Sequence, residues 1–319
     1  MADAVAAMNK LPTLGIDLGG TNLKAGLVGS DGNAHDVKMM PLPRTLEDMC
    51  RELDTLTTGW RGEFSGIGFS CKGITDRHFD RLLHSPGDLH FLEATSFREL
   101  LPSDLAGVPM YAENDARNAL LAEARWGKAK GLRNVAMVTL GTGVGGALLL
   151  EGKLYRGARG VAGHFGHMTV DYDGKDCICG GNGCIETVFS ARSIEAAFFD
   201  HIHRGRLSSL GRGATCEQIF GAAAEGDAIA FSVVRRATEA LAAALADIVH
   251  AFDPELIILS GQVAASKEQL LQPMREELRR RTRFFLSEEV PIVISESPAY
   301  GGVLGAAALV VTQLEAEAR

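Results

Sequence analysis

The sequence predicts an α/β protein of two lobes, and three observations lead there. At 319 residues the chain exceeds what one ordinary hydrophobic core serves. Each half opens on two apolar, β-prone runs joined by a glycine turn: 14–18 with 22–28, then 135–140 with 147–150. Helical patterns follow in both halves, so two lobes of similar plan are expected.

The elements follow in order. The run 14–18 breaks at Gly19-Gly20, resumes over 22–28 and closes at Ser30-Asp31-Gly32-Asn33. Within 44–58, Leu46, Met49, Leu53 and Leu56 recur at helical spacing among charges. A short buried strand is expected at 67–70, a loop-rich stretch over 75–97 and another strand at 109–111. Asn114-Asp115 opens a helix that runs to Trp126 and stops at Gly127. Residues 160–186 are rich in glycine and cysteine with little regular pattern, which predicts a loop ordered by something other than packing. The remainder predicts helices over 227–251, 264–283 and 302–317, and strands at 256–259 and 291–294. The expected division is a small α/β lobe of 1–112 plus the last helix (about 302–319), and a large α/β lobe of 113–301 carrying the loop 160–186.

Composition narrows the function. The chain is 46% hydrophobic and 23% charged, the balance of a soluble globular protein. Its longest clean apolar run, 301–311, falls short of the ~18–20 residues a membrane span needs. An acidic third residue and no basic stretch argue against a secretory leader, so a cytoplasmic location is expected. A net charge of −8 argues against nucleic acid or an anionic membrane as partner.

Two glycine turns carry the first chemical signal. Asp17-Leu18-Gly19-Gly20-Thr21-Asn22 lies between two strands, where glycines let backbone amides approach an anion. Asp17, ending the first strand, suits Mg²⁺, which takes few carboxylates alongside water and phosphate oxygens. The segment also reads as a plain hairpin turn with a capping aspartate. The second turn, Gly141-Thr142-Gly143-Val144-Gly145-Gly146, matches GxGxxG in form, but no helix follows it, so a dinucleotide fold is rejected. No Gly-Lys-Ser/Thr closes it as a Walker loop either. Two such hairpins, one in each half, suggest a phosphate chain gripped from both lobes.

The cysteines carry the second. His167, Cys177, Cys179 and Cys184 fall within eighteen positions, the donor set of a closed, tetrahedral zinc site of structural type. Glycines at 174, 180, 181 and 183 let the chain wrap tightly, and the plain alternative is free thiols in a loop. Cys50, Cys71 and Cys216 stand apart and read as small hydrophobes.

Together these motifs resemble a known family. Asp17-Leu18-Gly19-Gly20-Thr21, Glu113-Asn114-Asp115, the 139–146 glycine turn, Gly166-His167-Met168 and Cys177-x-Cys179-Gly180-x-x-Gly183-Cys184-x-Glu186 resemble the ROK family of sugar kinases and sugar-responsive repressors. The similarity spans nearly the whole chain, and 17–24 is most similar to the N-acetylmannosamine kinase and glucokinase branches. The resemblance implies the two-lobed fold of actin and hexokinase, ribonuclease H-like in plan, with ATP and sugar bound between closing lobes. It implies transfer of the γ-phosphoryl group to a hexose or N-acetylhexosamine hydroxyl, O6 being expected. Asp115 then matches the catalytic base and Asn114 a sugar-hydroxyl ligand, although Asn-Asp at a helix start also reads as an N-cap. Asp17 matches the Mg²⁺ and phosphate position. Gly19, Gly20, Thr21, Asn22 and Lys24 match the first phosphate turn, Thr142 and Gly143 the second, and Gly261 the adenosine side. Gly73, His167 and Glu186 match the sugar side, His167 serving also as a zinc ligand. Relatives of this kind imply a homodimer.

Two positions depart from the family pattern. Its Glu-x-Gly-His is here His164-Phe165-Gly166-His167, which exchanges a carboxylate for a group that in neutral form donates once and accepts once. A changed sugar specificity at His164 is expected. Where the family reads Pro-Asn-Leu this chain has Ser85-Pro86-Gly87-Asp88-Leu89, and Asp88 is expected in the asparagine's place. Two other functions remain in view: a sugar sensor without catalysis, and a regulator lacking its DNA-binding domain. About 13 residues precede the first strand, too few for a helix-turn-helix module.

Overall fold

Thr13–Leu18 forms strand β1 and Asn22–Val28 returns antiparallel as β2, with Leu18 opposite Leu23. The computed structural model to which they belong describes residues 11–85, 87–265, 267–295 and 300–318; Pro86 lies outside them. Strand β3 (Ala34–Pro41) extends the sheet antiparallel to β2. Its side chains are mostly polar and half-exposed or exposed, so apolar patterning predicted no strand there. Helix α1 (Leu46–Thr58) begins where Thr45 accepts from the Asp48 N–H and buries Met49, Leu53 and Leu56, as their spacing predicts.

Strand β4 (Ile67–Cys71) pairs parallel with β1. A small hairpin of β5 (Ile74–Thr75) and β6 (Leu82–His84) and three short 3₁₀ turns fill the loop-rich stretch. Strand β7 (Met110–Asn114) pairs parallel with β4 and completes the order β3-β2-β1-β4-β7. Helix α2 (Asp115–Trp126) follows at once. The C-terminal helix, Gly301–Glu317, packs on the same sheet so closely that its backbone carbonyls at Val303 and Ala306 lie where side chains at Gly15 and Gly68 would be.

The second sheet repeats this plan. Strands β8 (Val135–Leu140), β9 (Val144–Leu150) and β10 (Lys153–Leu154) run antiparallel in sequence. Helices α3 (Glu186–Phe189), α4 (Ala191–His203), α5 (Cys216–Ala224) and α6 (Ala228–Phe252) come next, of which the sequence pattern predicted only α6. Strand β11 (Leu256–Ser260), helix α7 (Lys267–Thr282) and strand β12 (Ile292–Ile294) end the series. The order β10-β9-β8-β11-β12 mirrors the first sheet, again with two parallel strands after an antiparallel hairpin. The core of this sheet is held by α6, which buries Ala230, Val233, Val234, Ala237, Leu241, Leu245 and Ile248. Each such Val, Leu or Ile contributes about 1.5–3 kcal/mol of burial energy.

Packing divides the chain into two units. One comprises the chain up to Gly131, Arg156–Ala162 and the C-terminal stretch; the other comprises Leu132–Tyr155 and 163–296. The boundary expected after 112 therefore falls after Gly131, and 156–162 joins the first unit. The reason is packing: α2 lies against the C-terminal helix, with Gly305 on the backbone of Asn118, and cannot belong elsewhere.

Candidate active site

The parallel strands of the first sheet end in a row of polar side chains. Asp17 on β1 pairs with Ser70 on β4, and Ser70 with Glu113 on β7, so the three share one face of the sheet. The C-terminal ends of parallel strands are where open α/β sheets present their sites. Burial raises the Asp17 carboxyl to about 6, and the nearby charge of Asp115 adds to the rise against Ser70 and Lys24. Asp115, at the first position of α2, is exposed to solvent, yet desolvation by the surrounding protein holds its carboxyl above the ordinary value; the Ala116 N–H and Lys72 oppose that rise. Asp17 also lies against the first turn of the C-terminal helix: a Cβ at Gly302 would collide with its carboxylate.

Asn114 is fixed by its surroundings. Its Oδ1 accepts from the Ala116 and Arg117 N–H groups, capping α2, and its Nδ2 donates to the Gly73 carbonyl at 3.1 Å. Asn114 is thus the cap, and Asp115 stands at the first position of the capped helix. Gly73 itself has a φ of +120°, a conformation that glycine tolerates.

At the first glycine turn, Gly19 N–H donates to the Asn22 carbonyl at 3.0 Å, leaving Gly20 and Thr21 exposed at the tip. Lys24 on β2 stands directly opposite Asp17 on β1. Asp88 sits beside this turn, its carboxylate paired with Arg44, whose second nitrogen approaches the Gly20 carbonyl at 3.5 Å. Arg44 was not read as a site residue from sequence.

In the second unit, Gly141 N–H donates to the Gly143 carbonyl at 3.0 Å, with Thr142 exposed at the tip. Glu186 lies under this turn: its Oε2 accepts from the Val144 N–H at 2.8 Å, and a Cβ at Gly143 would meet the same oxygen. Gly261, at a φ of +97°, packs on the Leu140 carbonyl just before that turn. The second unit thus brings Thr142, Gly143, Glu186 and Gly261 together. His164 precedes the 3₁₀ turn Phe165–His167, and its ring stacks on that of His167 with centroids 6.4 Å apart.

His167, Cys177, Cys179 and Cys184 converge, with one donor atom from each lying within 4.8 Å of the others. Cys177 Sγ stands 3.6 Å from His167 Nδ1, and Cys179 Sγ 3.6 Å from Cys184 Sγ. A tetrahedron with metal–sulfur bonds of about 2.3 Å has edges near 3.8 Å, so the donor set fits a zinc-sized ion. The loop holds this shape with Cys177 N–H on the Gly181 carbonyl and Ile185 N–H on the Met168 carbonyl. Burial, aided by hydrogen bonds with Cys179 and Cys177, pushes the Cys184 thiol up to about 12, a rise that a bound cation would reverse. A separate cavity of about 280 Å³ borders this loop, lined in part by Asp171, Lys175, Asp200 and Arg236, and contains none of the predicted residues.

Comparison with known proteins decides the family, since the ROK family model matches residues 13–313. The chain belongs to the ROK family. This ROK chain is 31% identical over 315 residues to a glucokinase of Thermotoga maritima, spanning 95% of its own length and 98% of that protein. It is 34% identical over 266 residues to an N-acetylmannosamine kinase of Escherichia fergusonii, spanning 82% and 86% of the two chains. Its fold matches a ROK family glucokinase from Streptomyces griseus, solved in complex with glucose and AMPPNP, at a TM-score of 0.76 and 29% identity over 93% and 98% of the chains. Its mixed α/β architecture is that of the family. No helix among the described residues is long and apolar enough to cross a membrane.

Residues that sequence reading missed in this ROK chain are Lys72, Arg44, Arg117 and Arg156. Arg117 lies on the predicted helix but Glu113 on the strand before it, so no helical spacing announced their pairing. Arg156 lies in a stretch without pattern, and only the fold brings it near.

Proposed function

We propose that the chain is an ATP-dependent sugar kinase, transferring the γ-phosphoryl group to a hydroxyl, O6 first, of a hexose or N-acetylhexosamine. Family membership and the kinase relatives support the reaction class. The observation that carries the residue assignment is the placement of Asp17 and Asp115 at the C-terminal ends of the parallel strands β1 and β7, where burial holds both carboxyls above their ordinary range. A base works best when its pKa lies near the working pH, which is the direction of both shifts.

Phosphoryl transfer asks little covalent help of the protein, and positioning with charge stabilisation does most of the work. Asp115 accepts the proton as the sugar oxygen attacks phosphorus and the bond to the ADP oxygen breaks. Asn114, Gly73 and Glu186 orient the sugar, with His164 and His167 at its other end. Gly19, Gly20, Thr21, Asn22 and Lys24 hold the phosphates, and Thr142, Gly143 and Gly261 hold the rest of the nucleotide. Asp17 would hold Mg²⁺, which when bound neutralises charge on the phosphate oxygens. His167, Cys177, Cys179 and Cys184 would hold a structural zinc. The imidazole of His164, donating once and accepting once, suits a different hydroxyl pattern from a carboxylate. Asp88, paired with Arg44 beside the first turn, is assigned to the sugar in place of the family's asparagine.

The test is a coupled ADP-release screen over glucose, mannose, fructose, allose and the N-acetylated hexosamines. One or more sugars should turn over, and Asp115→Asn should lower kcat by about 100-fold or more with its unfolding temperature kept. Ordinary rates in that variant would refute the base assignment. Calorimetric sugar binding without turnover of any sugar would make the protein a sensor.

A further inference from the structure

Glu113 is completely buried on β7, at 0% exposure. Its Oε1 accepts from the Asn114 N–H at 2.7 Å, the Thr75 hydroxyl at 2.9 Å and Arg117 Nη1 at 3.1 Å. Arg156 Nε stands 2.6 Å from its Oε2. Each arginine then reaches on to a further segment. Arg117 Nη2 donates to the Gly160 and Ala162 carbonyls at 2.6 and 2.7 Å. Arg156 Nη2 donates to the Asp76 carbonyl at 2.6 Å and to Thr75 Oγ1 at 2.9 Å, and its guanidinium covers the Phe79 ring at 4.3 Å. One carboxylate and two guanidiniums thereby tie together the 73–76 turn, the 113–117 turn and the strap 156–162, all within the first unit.

Stability is a poor reason for such a cluster. Desolvating three charges costs more than burying apolar side chains of equal volume, and the set carries one positive charge in excess. What an ion network does well is fix geometry, because each guanidinium fork accepts few arrangements. The segments it fixes include Gly73, Asn114 and Asp115.

We propose that Glu113 is the positioning residue of the acceptor side, setting, through Arg117 and Arg156, how the 73–76 turn and the 156–162 strap are placed against the turn that presents Asp115. The inference rests on the kinase reading and deepens it. Among the described residues of the first unit, the 19–22 turn makes no hydrogen bond to the cluster, and the ATP KM serves as the control.

Glu113→Gln leaves two buried guanidiniums without a counter-charge and is liable to unfold, so the leading variant is Arg156→Lys. It keeps a cation beside Glu113 and loses the Nη2 that donates to Thr75 and Asp76. Thr75→Val, which deletes the shared hydroxyl at nearly constant volume, is the second. Kinetics on the best sugar of the screen are measured with unfolding temperatures. The expected result for both variants is a sugar KM raised about tenfold and a lower kcat, with the ATP KM within about twofold of wild type. Unchanged sugar and ATP KM values in folded variants would overturn the proposal. So would equal changes in both KM values that track a fall in unfolding temperature, the sign of a purely structural cluster. If the wild type turns over no sugar, the kinase reading has failed on its own. The proposal is then read from calorimetry, where tenfold weaker sugar binding in Arg156→Lys supports it, and equal or undetectable binding in both proteins overturns it.

Discussion

Asp17, proposed above to hold Mg²⁺, carries a cost to the fold. Its carboxyl is raised to about 6, mainly by burial and then by Asp115, while an unfolded aspartate titrates near 3.8. The folded state therefore holds this proton more tightly than the unfolded state does. The stability it contributes is complete below about pH 4 and is lost as the pH climbs through 6, a change of up to about 3 kcal/mol. Asp17→Asn removes that titration. The variant should have lost turnover yet melt higher than wild type at pH 8 without metal, and the gain should shrink at pH 5. Thermal scans at the two pH values check this, and a gain equal at both would show that burial of Asp17 is not the cause. On the proposed function, the strain at Asp17 is an ordinary compromise of function with stability. Asp17 and Asp115 were legible in the sequence because each sits at a junction, strand to turn or strand to helix. Their coupling was not legible, since 97 positions separate them in the chain and only the register β1-β4-β7 brings those strand ends together.

Elements with a strong internal period were the ones the sequence foretold. Helix α6 is the clearest case, running 25 residues from Asp227 as cap. The Asp227 carboxylate accepts from Ile229 and Ala230 N–H at one oxygen, and from Ser208 and Ser209 at the other. Burial alone would raise its pKa, but these bonds outweigh it and hold the carboxyl well below the usual range. A depressed acid stabilises the fold above the unfolded pKa, so this contribution is full at neutral pH and fades as the pH drops below about 4. Asp227→Ala should cost about 1–2 kcal/mol in urea unfolding at pH 7, and the difference from wild type should narrow towards pH 3. A constant difference would mean that the cap acts without its charge. Strand β3 and helix α4 lack a visible period, whereas the nine-residue α5 is short and its capping box of Thr215 and Gln218 was its legible signal. β3 is largely polar at the sheet edge, and Ala191–His203 buries only Ile194 and Phe198 at full depth, too few to set a visible period.

Each of the two units has its own hydrophobic core, one around the sheet β3-β2-β1-β4-β7 and one around α6. Every donor of the Cys/His cluster belongs to the second unit, whereas both tryptophans, Trp60 and Trp126, belong to the first. Trp60 is buried against Asp36, and Trp126 donates to the Ser30 carbonyl, so their fluorescence reports the first unit alone. Far-ultraviolet circular dichroism reports helices of both. The loop 168–184 contains no helix or strand of its own; the bridges Thr169–Cys184 and Asp176–Asn182 and the ion pairs Asp171–Arg236 and Lys175–Asp200 hold it from its edges, and an ion on His167, Cys177, Cys179 and Cys184 would tie its centre. Metal analysis of the purified protein is expected to give about one zinc per chain. Stripping it should lower the circular dichroism midpoint while the tryptophan midpoint stays nearly fixed, and zinc should restore the first where magnesium does not. Coincident shifts would show that the two cores unfold as one cooperative body. No shift in either, with no zinc bound, would mean that packing orders the loop after all. Glu186 makes the consequence reach further. It follows Cys184 by two positions and accepts from the Val144 N–H, so a loosened loop also releases the Gly141–Gly143 turn, and the stripped protein should bind ATP more weakly even where its first unit remains folded.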